Sequence, residues 1–413
     1  MLEWDAPVVR LDDYEPIVGR GPVELLRRLT DKVRGKRVLH INSTRSGGGV
    51  AEILRRFVPL MNDLGLQADW AVIRGDEDFF NVTKAFHNGL QGQHVHVSRE
   101  MLDTWYHYNR LNMEEIDTDY DYVVVHDPQP AAMIERRKGG SHWIWRCHID
   151  VSHPQKQLWE HLYPYVSQYD AAIFSMSHFA QDLPIREALI HPSIDPLSEK
   201  NMELDAAEVE QVYREHHIPR DRPILLQVSR FDRFKDPIGV IKAYKLVKRH
   251  HDCRLVLAGG TATDDPESEQ VLNEVREYAA DDPEIHVLLL PPSDRLINAL
   301  QRGASIVYQK SLKEGFGLTV SEALWKGRPV IGGNAGGIAI QVHDGHTGYL
   351  VDSHEGAAYW TRFMLEHPVR RRAFGEIGRE HVRRNYLITR NLLNYLCLFL
   401  VLQDDARGMH RLS

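Results

Sequence analysis

Short apolar runs rich in β-branched residues alternate along this chain with segments of helical periodicity, and this alternation limits the fold more than any other feature. Strands that alternate with helices build a parallel sheet covered by helices on both faces. In the first half, the runs that predict strands are Arg37–Asn42, Ala68–Ile73, Tyr122–His126, Trp143–Cys147, Ala171–Ser175 and Leu189–Ile190. In the second half they are Ile224–Ser229, Arg254–Ala258, His286–Leu290, Ser305–Gln309, Pro329–Ile331 and Gly348–Val351. One open sheet holding all of them would be unusually wide, so the pattern predicts an α/β chain with two doubly wound, Rossmann-like domains.

Between the two sets of strands, residues 191–205 are rich in proline, serine and acidic residues, which is typical of an interdomain linker. The chain has 413 residues, enough for two domains with a core each. Helices are predicted over Ala206–His217 and over the apolar stretch Leu387–Gln403. We therefore expect an N-terminal domain, a C-terminal domain and a helix that returns to the first domain, over residues 1–205, 206–386 and 387–413.

The charge balance and the cysteines indicate where such a protein works. A net charge of −8 argues against a broad basic surface for nucleic acid or anionic membranes. The three cysteines are widely spaced, form no metal-ligand pattern and suit a reducing cytoplasm. The acidic N-terminus lacks the apolar stretch of a secretory signal, and the longest apolar run, near Tyr395–Leu402, is too short to cross a bilayer. We expect a cytoplasmic protein, and the oligomeric state stays open, a homodimer included.

A run of three glycines follows the first predicted strand and precedes a helix that begins near Val50. Gly47, Gly48 and Gly49 lack side chains, so a ligand can approach the backbone and the first N–H groups of the helix. Two alternatives are a flexible turn without a ligand and a dinucleotide fingerprint. The fingerprint is disfavoured because its third glycine would fall at Glu52, whose carboxylate does not suit close packing of helix on strand.

Two cations follow the first strand of the second half. Arg230 and Lys235 lie in the loop after Ile224–Ser229, and ligands of open α/β sheets bind beyond the carboxyl ends of strands. Two positive charges at that place would neutralise a diphosphate, including one that leaves during a reaction. For a single surface cation, a solvent-facing role is the more common alternative.

The strongest signal in the chain is the segment KEGFGLTVSEALWKG. Glu314 precedes the turn Gly315-Phe316-Gly317, and a short helix is predicted from Leu318 to Lys326. The start of that helix offers N–H groups and a positive dipole to an anion. Glu322, one turn into the helix, can accept hydrogen bonds from two hydroxyl groups, and Glu314 can reach the hydroxyls of a sugar. Further along, Gly336 and Gly337 allow another close approach of the backbone.

These residues resemble the retaining glycosyltransferases of the GT-B fold, in which two Rossmann-like domains face each other across a cleft. The segment EGFGLTVSE looks like their E-x7-E motif, and Ser229–Lys235 looks like their diphosphate-binding loop. The resemblance implies that Glu314 contacts the donor sugar, Glu322 the ribose, and Arg230 with Lys235 the phosphates. One departure is visible, because many relatives have glycine where this chain has Asp236.

Segments of the first half narrow the resemblance. HINSTRSGGGVAEIL, VVHDPQP, WIWRCHIDVSHP and HPSIDPLSEKN closely resemble the trehalose synthases of the glycosyltransferring type, and less closely the retaining trehalose phosphorylases. The similarity runs from about Leu39 to Tyr386. It implies reversible transfer of glucose from a nucleoside diphosphate glucose to free glucose, giving α,α-trehalose. The nucleotide (UDP, ADP or GDP) stays open, and no obligatory cofactor is expected beyond this co-substrate.

The acceptor glucose needs paired hydrogen-bond donors and acceptors, and polar residues follow two strands of the first half. We expect these acceptor contacts, together with the three glycines, at Asp127, Gln129, Arg146, His148 and Asp150. Asp127 and Asp150 could instead shape turns or cap a helix, and a histidine at a strand end is often structural. No metal site is expected, although His148, Asp150 and His153 raise that alternative. The predicted catalytic residues are His148, Arg230, Lys235 and Glu314.

Four other functions remain as alternatives: a trehalose phosphorylase, another GT-B glycosyltransferase, a nicotinamide oxidoreductase and a sugar-nucleotide sensor without activity. The ribose contact of Glu322 separates the synthase from the phosphorylase, because inorganic phosphate carries no ribose. The position of Glu52 argues against the oxidoreductase, and turnover would exclude the sensor.

Overall fold

A computed structural model describes residues 6–45, 48–260, 266–291 and 293–405. The chain divides into two compact units, each with its own sheet. The first unit comprises Met1–Pro192 together with Ile388–Ser413, and the second comprises Ser193–Leu387.

The first unit is built on a six-stranded parallel sheet in the order β2-β1-β3-β4-β5-β6. Its strands are β1 (Arg37–Asn42), β2 (Gln67–Val72), β3 (Tyr122–His126), β4 (His142–Arg146), β5 (Ala171–Phe174) and β6 (Arg186–Leu189). Its helices before Pro192 are α1 (Glu15–Val18), α2 (Arg20–Asp31), α3 (Gly49–Asp63), α4 (Glu77–Leu90), α5 (Arg99–Glu115) and α6 (Lys156–Val166). Short 3-10 turns lie at Leu11–Tyr14, Ala131–Arg136 and Ser177–Phe179. From β1 the chain moves outward to β2 and then returns to β3 on the other side of β1, so the winding reverses between β1 and β3.

The central strands of the first unit are buried in its core. Every residue of β3 is buried, as expected for a parallel strand covered on both faces. Three fully buried tryptophans fill the space between sheet and helices, and each indole N–H has an acceptor. Trp105 donates to the carbonyl of Pro128 at 3.1 Å, Trp145 to that of Asp127 at 3.1 Å, and Trp143 to the hydroxyl of Ser141 at 3.0 Å.

The second unit contains another six-stranded parallel sheet, in the order β12-β11-β10-β7-β8-β9. Its strands are β7 (Ile224–Val228), β8 (Arg254–Gly259), β9 (Ile285–Leu289), β10 (Ile306–Gln309), β11 (Val330–Gly333) and β12 (Gly348–Val351). Its helices are α7 (Ala206–Glu215), α8 (Pro237–Lys248), α9 (Pro266–Ala279), α10 (Asp294–Gly303), α11 (Leu318–Trp325), α12 (Ile338–Gln341), α13 (His354–Glu366) and α14 (Pro368–Asn385), with a 3-10 turn at Arg233–Lys235. This is the strand order of the dinucleotide-binding fold, and its winding reverses between β7 and β10.

The predicted strands agree with the observed ones to within one or two residues, except at β6. The sequence favoured Leu189–Ile190, whereas β6 runs over Arg186–Leu189 and pairs with β5 at the edge of the sheet. Its residues are largely exposed, so the apolar pattern that reveals buried strands is missing there.

The interpretation of residues 191–205 as a linker is wrong for most of that segment. The division between the units falls after Pro192, whereas the predicted one fell after residue 205. Ser193, Ile194 and Asn201 are buried, and the side-chain amide of Asn298 donates to the carbonyls of Glu199 and Met202, both at 2.8 Å. The segment therefore packs as part of the second unit.

The last helix, α15 (Ile388–Asp405), belongs to the first unit. The ring of Phe399 stacks on that of Tyr122 in β3, with 4.3 Å between ring centroids, and the Tyr122 hydroxyl donates to the Phe399 carbonyl at 3.2 Å. In the part of the chain that the structure describes, neither α15 nor another helix is long and apolar enough to cross a membrane.

Replacing Phe399 with alanine should lower the free energy of unfolding of the first unit by about 3–5 kcal/mol, because it opens a cavity against Tyr122. Val401 on the same helix is 43% exposed, so Val401→Ala should change that free energy by less than about 0.5 kcal/mol. Urea-induced unfolding followed by circular dichroism measures both. Equal effects of the two substitutions would contradict the observed packing of α15.

Candidate functional site

In the second unit, the loops after β7 and β10 lie side by side where the winding of the sheet reverses. Open α/β sheets bind ligands at this point, because the chain leaves the two neighbouring strands in opposite directions. A backbone hydrogen bond joins the loops directly, from the Leu312 amide to the Phe234 carbonyl at 2.7 Å. Gln227, in β7, donates to the carbonyl of Lys235 at 2.7 Å and fixes the loop after that strand.

This arrangement brings two of the predicted site residues into contact. The ammonium of Lys235 lies 2.6 Å from Oε2 of Glu314, and their side chains are only 18% and 10% exposed. The same carboxylate oxygen accepts hydrogen bonds from the Gln309 amide at 2.9 Å and the Ser311 hydroxyl at 3.0 Å. Lys235 and Glu314 are therefore held together, and among the described residues the second carboxylate oxygen of Glu314 has no hydrogen-bond donor.

Asp236, the departure from the glycine of many relatives, fits its turn. Its φ is 48°, in the left-handed region where glycine is commonest and where aspartate is tolerated better than most residues. Its side chain caps α8 by accepting from the Gly239 amide at 3.0 Å, and it also pairs with the buried ammonium of Lys310. The turn after Lys235 is thus well defined, and glycine is not required there.

Arg230 lies in the same loop but points to solvent. Its side chain is 65% exposed, and its guanidinium is 3.5 Å from the carboxylate of Asp232. The structure does not bring Arg230 into the contact between Lys235 and Glu314. A role for this residue in phosphate binding therefore stays a prediction.

The glycines after β11 approach the loop that carries Glu314. The Gly337 amide donates to the Gly315 carbonyl at 2.7 Å. A Cβ on Gly336 would lie 1.8 Å from the Glu314 carbonyl oxygen, and one on Gly337 would lie 2.5 Å from Cα of Phe316. The sequence analysis expected these two glycines to let a ligand approach the backbone. In the structure they let one backbone segment pack closely on another. Gly317 has a φ of 78° and precedes Leu318, the first residue of α11.

Glu322 lies in α11 and is only 5% exposed. Its side chain is positioned by residues that the sequence analysis did not identify. The Gln301 amide donates to its Oε2 at 3.1 Å. The buried ammonium of Lys326 donates to Gln301 Oε1 at 2.7 Å and to Asn201 Oδ1 at 2.9 Å. Burial lowers the pKa of Lys326 to about 7. The orientation of Glu322 is therefore fixed by a buried polar network.

In the first unit, the predicted acceptor residues gather where β3 and β4 end. Asp127 adopts a φ of 64°, and its Oδ1 accepts the backbone N–H of His148 at 2.7 Å. Burial raises the pKa of Asp127 to about 6 and depresses that of His148 well below its usual range. Nε2 of His148 lies 2.9 Å from Nδ1 of His126, so the imidazole is oriented by a second histidine.

Two further predicted residues carry buried polar atoms without protein partners. Arg146 is 1% exposed, and its Nη2 makes a long contact of 3.4 Å to the Ser175 hydroxyl. Its Nε and Nη1 atoms lack acceptors in the described residues. The side-chain oxygen of Gln129 is likewise buried and unpaired there. Buried polar atoms are usually paired, so these atoms indicate places for water or a polar ligand.

The remaining predicted acceptor residues provide less support for an acceptor site. Gly47 lies outside the described residues, whereas Gly48 has a φ of 86° and Gly49 begins α3. Oδ1 of Asp150 accepts the Ser152 amide at 2.9 Å, which is the turn-forming role considered as the alternative. Within the described residues, no group of three or more histidine, cysteine, aspartate or glutamate side chains is arranged to hold a metal ion.

Sequence reasoning missed Gln309, Ser311 and Gln301. Gln309 ends β10, so a polar residue at a carboxyl end was a usable signal. Gln301 gave none, because it lies on α10 and its partner Glu322 lies on α11.

Gly336→Ala should lower the free energy of unfolding of the second unit by at least about 2 kcal/mol, because it combines a left-handed φ with an overlap on the Glu314 carbonyl. Gly356 is the matched control. A Cβ there would find its nearest neighbour, Ser353 Oγ, at 3.5 Å, so Gly356→Ala should not destabilise the unit. Chemical denaturation measures both, and a neutral Gly336→Ala would disprove the close packing of the two segments.

Comparison with known proteins agrees with this geometry. Residues 40–181 match the family described as trehalose synthase, N-terminal domain, and residues 209–381 match glycosyl transferases group 1. The chain is 43% identical to a trehalose synthase of Pyrococcus horikoshii over 95% of this chain and 97% of that protein. It is 29% identical to a trehalose phosphorylase of Grifola frondosa over 84% of this chain and 54% of that protein.

Among solved structures, an α,α-trehalose-phosphate synthase (UDP-forming) from Burkholderia xenovorans, in complex with glucose-6-phosphate, has the same fold. It matches with a TM-score of 0.70 at 14% identity, over 89% of this chain and all of that one. The expected GT-B fold is thereby confirmed. Because the chain is 43% identical to a trehalose synthase over 95% of its length, it belongs to the trehalose synthase family of GT-B glycosyltransferases.

Proposed function

We propose that this enzyme transfers glucose, with retention of configuration, from a nucleoside diphosphate glucose to free glucose and so forms α,α-trehalose reversibly. The observation that carries the proposal is the contact between Lys235 and Glu314 at the reversal point of the second sheet. A cation beside a carboxylate suits a ligand that has a phosphate next to a sugar. The name of the Pyrococcus horikoshii relative supports the product.

The roles follow from chemistry at each position. Lys235, assisted by Arg230, neutralises the diphosphate before and during its departure. Glu314 has an oxygen that its protein partners leave available, and it holds hydroxyls of the transferred glucose. Glu322 accepts hydrogen bonds from the ribose, while Gly315–Leu318 present backbone groups to the donor. In the first unit, Asp127, Gln129, Arg146, His148, Asp150 and the glycines at 47–49 form the acceptor contacts.

Retention is best explained by a same-face substitution. Glu314 is tied to Lys235, Gln309 and Ser311, and Glu322 to Gln301, so both carboxylates are engaged in holding contacts. Neither is then a nucleophile. In the proposed step, the bond from the anomeric carbon to the phosphate oxygen breaks while the acceptor oxygen attacks from the same side. The departing phosphate takes the proton of the acceptor hydroxyl.

Incubation with glucose and UDP-, ADP- or GDP-glucose, followed by NMR of the products, tests the proposal directly. We expect α,α-trehalose and the matching nucleoside diphosphate from at least one donor, without any added metal or cofactor. Absence of trehalose with all three donors would disprove the proposed function. A glucosyl–carboxylate adduct found by mass spectrometry would disprove the same-face mechanism alone.

Glu322 separates this function from that of a trehalose phosphorylase, the alternative favoured by the more distant relative. Glu322→Ala should raise the KM for the donor about 10-fold or more through lost hydrogen bonds. Removing one ribose hydroxyl from the donor should weaken binding to the parent enzyme but add little in Glu322→Ala, because both changes remove the same contact.

Glu376→Ala is the matched control for that measurement. Glu376 is an exposed glutamate of α14 in the same unit, so its replacement should leave the donor KM unchanged. Full additivity of the Glu322 substitution and the deoxyribose change would contradict the ribose role. Faster glucose transfer to inorganic phosphate than to glucose from a nucleotide donor would favour the phosphorylase.

A further inference from the structure

A chain of three histidines crosses neighbouring strands of the first sheet. His40 lies in β1, His126 ends β3, and His148 follows β4. Nδ1 of His40 is 3.0 Å from Nε2 of His126, and Nδ1 of His126 is 2.9 Å from Nε2 of His148. The rings of His126 and His148 are nearly parallel, with an angle of 13° between their planes. Two hydrogen bonds therefore connect a half-buried histidine to a fully buried one.

The surroundings keep the three rings neutral. Burial lowers the pKa of His40 to about 3 and depresses the pKa values of His126 and His148 well below the usual value. The buried guanidinium of Arg146 adds to this effect at His126 and His148. A neutral imidazole has one N–H donor and one nitrogen acceptor, so each hydrogen bond of the chain must run in the same direction.

The buried environment of His40, at one end of the row of three histidines, selects that direction. Nε2 of His40 is buried and has no hydrogen-bond partner in the described residues, and the neighbouring rings are those of Phe57 and Tyr395. An N–H at that end would be a buried donor without an acceptor, which proteins avoid more strictly than an unused acceptor. The proton of His40 is therefore placed on Nδ1, where it donates to His126, and His126 in turn donates to His148.

The geometry points to His40 and His126 as positioning residues that lock His148 into the tautomer with its proton on Nδ1. In this tautomer Nε2 of His148 accepts from His126, and Nδ1–H, which has no partner among the described residues, is presented as a donor to a sugar hydroxyl. The three histidines orient one another and do not form a path for protons, because His40 at the inner end meets aromatic rings. The sugar as partner rests on the proposed function, whereas the tautomer does not.

The tautomer is measured by ¹⁵N NMR of protein labelled at histidine, with the signals of His148 assigned from their loss in His148→Asn. We expect protonated Nδ1 and unprotonated Nε2 in the enzyme without substrate. His126→Leu removes the donor to Nε2, so the spectrum should shift towards the Nε2–H form. Nε2–H in the parent protein, or an unchanged His148 spectrum in His126→Leu, would overturn the proposal.

Kinetics give a second readout. His126→Leu should lower kcat about 10-fold, the equivalent of one hydrogen bond, while the donor KM changes less than about 3-fold. His126→Asn retains an amide donor near the Nδ1 position and should recover most of the rate. His142→Leu is the control and should leave kcat unchanged. This half-buried histidine of β4 stacks on Tyr122 and takes no part in the hydrogen bonds between the three histidines.

The two readouts separate the possible failures. If trehalose is not formed from any donor, the proposed function is wrong, and the NMR spectrum of the parent protein still decides the tautomer. If His126→Leu does not fold, the parent spectrum and His126→Asn remain decisive. A normal kcat in folded His126→Leu, with trehalose still formed, would overturn the positioning role while leaving the proposed function intact.

Discussion

The contact between the Lys235 ammonium and the Glu314 carboxylate organises the second unit around it. The two residues are 79 positions apart, and they meet because β7 and β10 are neighbours from which the chain departs in opposite directions. A largely buried ion pair costs desolvation, and such pairs contribute little net stability unless further hydrogen bonds satisfy them. Gln309 and Ser311 supply those bonds. The pair therefore defines the relative position of two loops more than it stabilises the fold.

Other features of the unit follow from this placement. The loop with Glu314 must pass close to the turn after β11, which leaves no space for a side chain at Gly336 or Gly337. The left-handed turn at Asp236 begins α8 directly after Lys235, and Lys310 binds the same aspartate from the loop after β10. The pair of Asp236 and Lys310 joins the same two loops as the pair of Lys235 and Glu314, so the position of Lys235 is fixed before any ligand arrives.

The sequence was sufficient for the two sheets, because parallel strands covered on both faces appear as uninterrupted apolar runs. It failed at β6, whose exposed residues lack that pattern, and at residues 193–205, whose polar composition hid their burial. Candidate site residues directly after strands were predicted from the same logic. The partners behind them, such as Gln301 behind Glu322 and His126 behind His148, were not, because such contacts depend on which helix faces and strand ends meet in space.

The two units carry different kinds of polar group where the central strands of their sheets end. At the reversal point of the second sheet, the cations of Lys235, Lys310 and Arg230 each lie beside a carboxylate, so charged groups of both signs meet there. At that of the first sheet, the corresponding side chains are neutral imidazoles, an aspartate whose pKa is raised by burial, and one buried guanidinium. A diphosphate needs charge neutralised at the moment it leaves, whereas free glucose offers only hydroxyl groups and is recognised by oriented donors and acceptors. Under the proposed function, hydrogen-bond direction therefore matters most for the glucose acceptor, and a fixed tautomer of His148 supplies that direction without adding a charge.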